Sequence, residues 1–206
     1  MGARPIIDAG PALNFFAINK ERVLFDVVGP LSTTETVRNE ILSKARSKKD
    51  VRFAAAEKVL NRLMPKWVEV LSDDGTPELD SAVHRISQLP LAERKTVAAD
   101  LGETMVVAHA AVKAEAGEHV VVIIDDQGGA ALAIAEKSRL DRLRRQNPTV
   151  GSIVRVSTLT ILAQAAGRQY IPDRRVMRDV YGRLCTKDDG LPPIEKTRLL
   201  APDLWK

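Results

Sequence analysis

The chain has 206 residues, the length of one domain, or of one domain carrying an insertion and a tail. With 45% apolar and 28% charged residues it can bury a core, which excludes a largely disordered or fibrous polypeptide. Its 31 Lys and Arg against 27 Asp and Glu leave a formal charge of +4, compatible with a polyanionic partner without pointing to one. The single cysteine, Cys185, excludes an intrachain disulfide framework and a thiolate zinc site, and predicts a packed thiol in a reducing compartment. His84, His109 and His119 are too few and too scattered for a zinc triad. No apolar run approaches the ~20 residues of a membrane span. No signal peptide is read at the start, so a soluble, cytoplasmic protein is expected.

Pro5-Ile6-Ile7 reads as a short strand ending on Asp8, and Pro11 suits the first turn of a helix reaching about Asn19. A second short helix is predicted over Glu21 to Val27 and a brief strand over Leu31 to Thr33. A Ser-x-x-Glu signature from Ser32 to Glu35 opens a helix to about Arg46. Another helix is expected from Asp50 to Met64, stopped by Pro65, before a strand at Trp67 to Leu71. Helices follow over Glu78 to Ser87, Leu91 to Ala98, and Asp100 to Ala114, the last opened by an Asp100/Glu103 cap. His119 to Ile124 is short and β-branched, as a central parallel strand requires. The turn from Asp125 to Gly129 leads to a helix from Ala130 to about Arg139 or beyond. Ile153 to Val156 forms another strand, Thr158 caps a helix, and Arg174 to Leu184 is the last one. Strands alternating with helices predict an α/β/α sandwich with a mainly parallel central sheet. The domain spans residues 1–185, with a helical insertion at about 47–91. A Pro- and charge-rich tail, 186–206, is expected on the surface or against a partner.

Ligands of open parallel sheets bind beyond the carboxyl ends of the strands. Asp8 lies at such an end, and so do Asp125 and Asp126. Glu103 falls in the first turn of its helix, and Glu40 lies beside Val37 and Ile41 on a helix face turned to the core. Carboxylates converging without bases repel one another, and a hard divalent cation relieves that repulsion. Each acid also has a structural explanation. Asp8 and Asp126 can cap the helices that follow them, Glu103 can complete a capping box, and Glu40 can be a solvated helix residue.

The order of these segments resembles the PIN-domain family of VapC-like ribonucleases. Pro5-Ile-Ile-Asp-Ala-Gly-Pro-Ala-Leu13 is similar to its opening strand, acid and helix, and Thr34-Glu-Thr-Val-Arg-Asn-Glu-Ile41 to its second-acid helix. Leu101-Gly-Glu-Thr-Met-Val-Val-Ala-His-Ala110 resembles a variant whose third acid follows a Gly. Val122-Ile-Ile-Asp-Asp-Gln-Gly128 resembles that variant's Asp-Asp strand end, and Val156-Ser-Thr-Leu-Thr-Ile-Leu162 the closing strand and helix. The resemblance covers residues 4 to 184 and implies a PIN-like fold and a Mg²⁺- or Mn²⁺-dependent endoribonuclease. By that likeness Asp8, Glu40, Glu103 and Asp126 are catalytic acids and metal ligands, with Asp125 competing for the fourth place. It further implies RNA as substrate, an antitoxin partner if the chain is a toxin, and a homodimer. Met105 stands where a further acid is expected, Ala130 where related chains carry Arg, and Ser157 where they carry a Gly. These departures motivate a second reading, a PIN-like module that binds RNA or protein without cutting.

Two basic clusters, Lys44/Arg46/Lys48/Lys49 and Arg139/Arg142/Arg144/Arg145, are either phosphate contacts or solvated helix faces. A phosphatase with Asp8 as nucleophile is set aside because Gly10 stands where its acid is expected. A phospho-receiver domain is set aside because the acidic pair lies at 125 and 126.

Overall fold

A computed structural model describes residues 3–205. Strand β1 (Ile6–Ile7) leads into helices α1 (Ala9–Ala17) and α2 (Glu21–Val28), then strand β2 (Leu31–Thr34) and helix α3 (Glu35–Ala45). A 3₁₀ turn (Val51–Phe53) and helix α4 (Ala56–Leu63) reach strand β3 (Val68–Leu71). Helices α5 (Pro77–Ser87), α6 (Leu91–Arg94) and α7 (Leu101–Glu115) follow. Strand β4 (His119–Ile123), helix α8 (Gln127–Gln146), strand β5 (Ser152–Val156) and helices α9 (Thr158–Ala165) and α10 (Arg174–Cys185) come next. Two 3₁₀ turns, Ile194–Lys196 and Pro202–Leu204, complete the described chain.

Among the described residues the strands form one parallel sheet, in the order β3-β2-β1-β4-β5. The central strand β1 pairs Ile6 with both Ser32 and Val122, and Ile7 with Ile123. Successive strand side chains point to opposite faces. Every residue of β1 and β2 is nevertheless buried, so helices must cover both sides of the sheet. The expected α/β architecture is therefore the observed one. Helix α7 crosses the sheet against β1, β2, β4 and β5 and packs beside α3, α5 and α8. Its face is small and apolar (Val106, Val107, Ala110, Ala111 and Ala114, all fully buried), which lets it lie close on the strands.

Several local expectations shift. Ser32 and Thr33 belong to β2, and Thr34, not Ser32, caps α3, its side chain accepting from the Val37 amide at 3.2 Å. The predicted helix from Asp50 breaks into a 3₁₀ turn and α4, because Asp50 holds the Arg52 amide at 3.0 Å and closes a tighter turn. The helix from Leu91 stops at Arg94. That side chain is buried and donates to the Val97 and Ala99 carbonyls at 2.5 and 2.6 Å, curling the chain back. Helix α8 starts before Ala130, capped by Asp126, and runs on to Gln146. Within the segment at 47–91, the expected strand at Trp67 to Leu71 is β3 (Val68–Leu71), an edge strand of the same sheet.

Residues after α10 pack onto the body. Leu199 is buried, Tyr181 donates its hydroxyl to the Pro192 carbonyl at 2.6 Å, and the Trp205 indole donates to the Leu199 carbonyl at 2.8 Å. Among the described residues, no helix is long and apolar enough to cross a membrane.

Candidate functional site

Parallel pairing places the carboxyl ends of β1 and β4 side by side. Asp8 follows β1 directly, and its amide donates to the Ile123 carbonyl at 3.0 Å, so the backbone sets its position. The side chain is only 4% exposed. It caps α1 through one oxygen, at 3.4 Å from the Gly10 amide, a long contact, while Oδ1 is buried with no hydrogen-bond partner. A buried carboxylate oxygen without a donor is costly. Burial first, then repulsion from Glu103 and Glu40, push the Asp8 carboxyl up to about 7.

Helices α3 and α7 bring the glutamates to the same place. A Cβ added at Gly102 would lie 3.1 Å from Glu40 Oε2 and 3.4 Å from Asp8 Oδ1. A side chain there would crowd the two carboxylates, so that one of them must give by a few tenths of an ångström. A Cβ at Gly129, in the first turn of α8, would come within 2.8 Å of Glu103 Cγ, so the Glu103 side chain lies against that turn. Glu103 is half-buried; burial and the nearby charges of Glu40, Asp126 and Asp100 raise its carboxyl above the usual range. Asp126 is exposed and caps α8 through Oδ1, which accepts from the Gly128 and Gly129 amides at 2.6 and 3.1 Å.

The structure thus brings Asp8, Glu40 and Glu103 close together at one end of the sheet, with Asp126 beside Glu103. Among the described residues, however, no three acidic, histidine or cysteine side chains already stand around a single coordination point. One reason is visible: the Glu40 carboxylate is turned to Lys44, whose ammonium lies 2.6 Å from Oε1. The Asp100/Glu103 capping box is not formed. Asp100 adopts a left-handed conformation (φ 52°) and makes no side-chain cap bond, its carbonyl instead receiving the Thr104 amide and hydroxyl.

Asp125 points elsewhere. It accepts from the Thr158 amide at 2.7 Å and, through its other oxygen, from the Thr158 hydroxyl. Ser157, not Thr158, caps α9, and fully buried Thr158 braces the end of β4 to that helix. Burial raises the Asp125 carboxyl, a shift the Thr158 hydrogen bonds oppose. Asp125→Ala leaves two buried donors unmet and should lower unfolding stability by about 1–3 kcal/mol in urea melts; an unchanged midpoint would rule out the brace.

A network that sequence reasoning did not anticipate lies beside β3. Asp73 is buried and accepts from the Thr36 amide and hydroxyl at 2.7 and 2.6 Å and pairs with His109 Nε2 at 2.9 Å. Its own amide donates to Glu35 at 2.9 Å. Burial alone would raise the Asp73 carboxyl, but the bonds from His109 and Thr36 outweigh it and hold the group below the ordinary range. Asp73 therefore ties α3 to α7, the helices that bear Glu40 and Glu103. The only available signal was its place after a strand, shared with many turn aspartates.

The basic clusters are partly internal. Arg139 pairs with Glu136 and Glu115, and Arg144 binds Asp141 and the Val150 carbonyl, so neither is free for phosphate. Comparison with protein-family models, curated proteins and solved structures finds no match to this chain.

Proposed function

We propose that this chain is a Mg²⁺- or Mn²⁺-dependent endoribonuclease whose ions are held by Asp8, Glu40, Glu103 and Asp126. The observation that carries the reading is Asp8: buried, repelled by two neighbouring glutamates, with one oxygen that no protein donor satisfies. The donor set consists of hard carboxylate oxygens, the ligands such cations prefer. A bound divalent ion would neutralise substrate phosphate and supply hydroxide near neutral pH. In this reading Asp8 and Asp126 fix the cleft from the strand ends, while Glu40 and Glu103 close it from two helices. RNA as the substrate rests on the resemblance to PIN-domain ribonucleases.

Purified full-length protein should cut single-stranded or structured RNA in Mn²⁺ or Mg²⁺, and not in EDTA. Cleavage that survives in Glu103→Gln would point to a contaminating nuclease and defeat the proposal. Gly102→Ala is a sharper probe, because alanine suits a helix better than glycine by about 1 kcal/mol yet narrows the space between Asp8 and Glu40. Its melting temperature should hold or rise while Mn²⁺ affinity, read by calorimetry, drops about tenfold or more. Equal affinity would show that ions do not sit between these two side chains.

The Lys44 ammonium on Glu40 favours a second reading, an RNA- or protein-binding module that does not cut. It predicts RNA retention without cleavage in any divalent ion. A toxin role adds growth arrest on expression, relieved by a neighbouring antitoxin that inserts a basic group among the acids.

A further inference from the structure

Beside the acidic cluster lies a cavity of about 450 Å³, walled by α1, the end of α3, the Val51–Phe53 turn and the chain just after α10. Gly10, two residues beyond Asp8, lines it, and so does Lys44, which contacts Glu40. The cavity and the acidic cluster are therefore neighbours.

Its walls carry three cations and three carboxylates, and their hydrogen bonds are unevenly shared. Arg52 is fully engaged: it grips Asp50 through three contacts of 2.9–3.1 Å and reaches the Lys187 carbonyl and Asp189 at 3.3 and 3.2 Å. Asp188 is engaged as well, by the Asn14 side-chain amide at 2.7 Å and the Gly190 amide at 2.9 Å. Asp50 and Asp188 thus already receive the protein's own donors on both oxygens, while exposed Asp189 takes one contact from Arg52. The ammonium groups remain. Lys187 makes no ion pair among the described residues, Lys44 uses one contact on Glu40, and the Ser47 oxygen accepts from Asp50 at 3.3 Å, leaving its O–H free to donate. Free donors call for an acceptor-rich ligand. Phe53 adds an apolar ring to the same wall, and the volume falls in the range of small-ligand sites, with room for more than a bare phosphate.

We propose that this cavity binds one nucleotide, with its phosphate on Lys187 and Lys44 and its base against Phe53. Resting on the nuclease reading, the occupant is the nucleotide flanking the scissile bond, and the cavity contributes to choice of cleavage position. The segment after α10, clipped in place by Arg52 and Asn14, becomes part of the substrate site.

The test uses full-length protein in EDTA, titrated with each of the four ribonucleoside monophosphates, with inorganic phosphate and with a nucleoside, and followed by amide chemical shifts. At least one monophosphate should perturb Asn14, Ser47, Phe53 and Gly190, and bind about tenfold or more tighter than phosphate or nucleoside alone. Lys187→Gln should weaken it about tenfold with an unchanged melting temperature, and Phe53→Leu should weaken it while leaving phosphate binding alone. No binding by any monophosphate, binding indifferent to Lys187→Gln, or phosphate binding as tightly as the nucleotide would overturn the proposal. Nucleotide binding without metal-dependent cleavage would sink the nuclease reading and keep the cavity. Cleavage without nucleotide binding would do the reverse.

Discussion

Asp8→Asn should abolish metal-dependent cleavage and at the same time stabilise the metal-free fold. The activity loss is expected at about 10²–10³-fold, the scale for removing one group that organises charge at a reacting centre. The stability gain follows from the carboxyl being pushed from 3.8 to about 7 by burial and by Glu103 and Glu40. The native state then binds the Asp8 proton more tightly than the unfolded state does. For this group, folding is favoured most below pH 3.8, and stability drains away as the pH climbs towards about 7. At 1.36 kcal/mol per pKa unit the penalty at pH 8 is on the order of 4 kcal/mol, an upper figure that asparagine removes. Thermal melts at pH 5 and pH 8 should show the variant's advantage growing with pH. Mn²⁺ should raise the wild-type midpoint and leave the variant's nearly still. A variant no more stable than wild type at pH 8, with a wild type indifferent to Mn²⁺, would mean that the buried charge is satisfied in some other way.

Asp73→Ala attacks the site from a distance. Removing this carboxylate strands the Thr36 amide and hydroxyl and the His109 ring, and releases α3 from α7. A loss of about 3 kcal/mol is expected, the scale of breaking a buried, multiply bonded charge. Asp73→Asn, which keeps one acceptor, should cost roughly half of that. Because the native carboxyl is held below 3.8, its contribution is present above that pH and disappears as the pH falls through the lowered native value. The part of the loss that belongs to the charge should therefore shrink in strong acid for both variants. If Asp73 positions the glutamates, Mn²⁺ affinity of the folded variant should also fall, with Asp73→Asn intermediate. Full affinity in a destabilised variant would reduce Asp73 to a purely structural clamp.

The acids were legible in the sequence to different degrees, for reasons of geometry. Asp8 and Asp126 could be placed because a β-branched block followed by an acid and a helix marks the carboxyl end of a parallel strand. Glu40 followed from helical periodicity, with Val37 and Ile41 fully buried beside it. The i,i+4 spacing of Glu40 and Lys44 was equally readable as an ion pair, yet spacing could not tell whether it faced water or the cleft. The choice between Asp125 and Asp126 had no local answer. Both sit in one turn, and only the position of Thr158, 33 residues away, draws one of them away from the other acids.

By itself the sequence determined the layered α/β architecture and the chain order of its strands and helices. Those depend on short-range periodicity, turn residues and the requirement that parallel strands be joined by crossovers. Tertiary structure alone decided which polar groups meet: Asp73 with His109, Asp188 with Asn14, Arg52 with the segment after α10. Such pairings are set by how packed elements converge in space. Separation along the chain carries no information about them, because a buried carboxylate takes whichever donor the packing delivers.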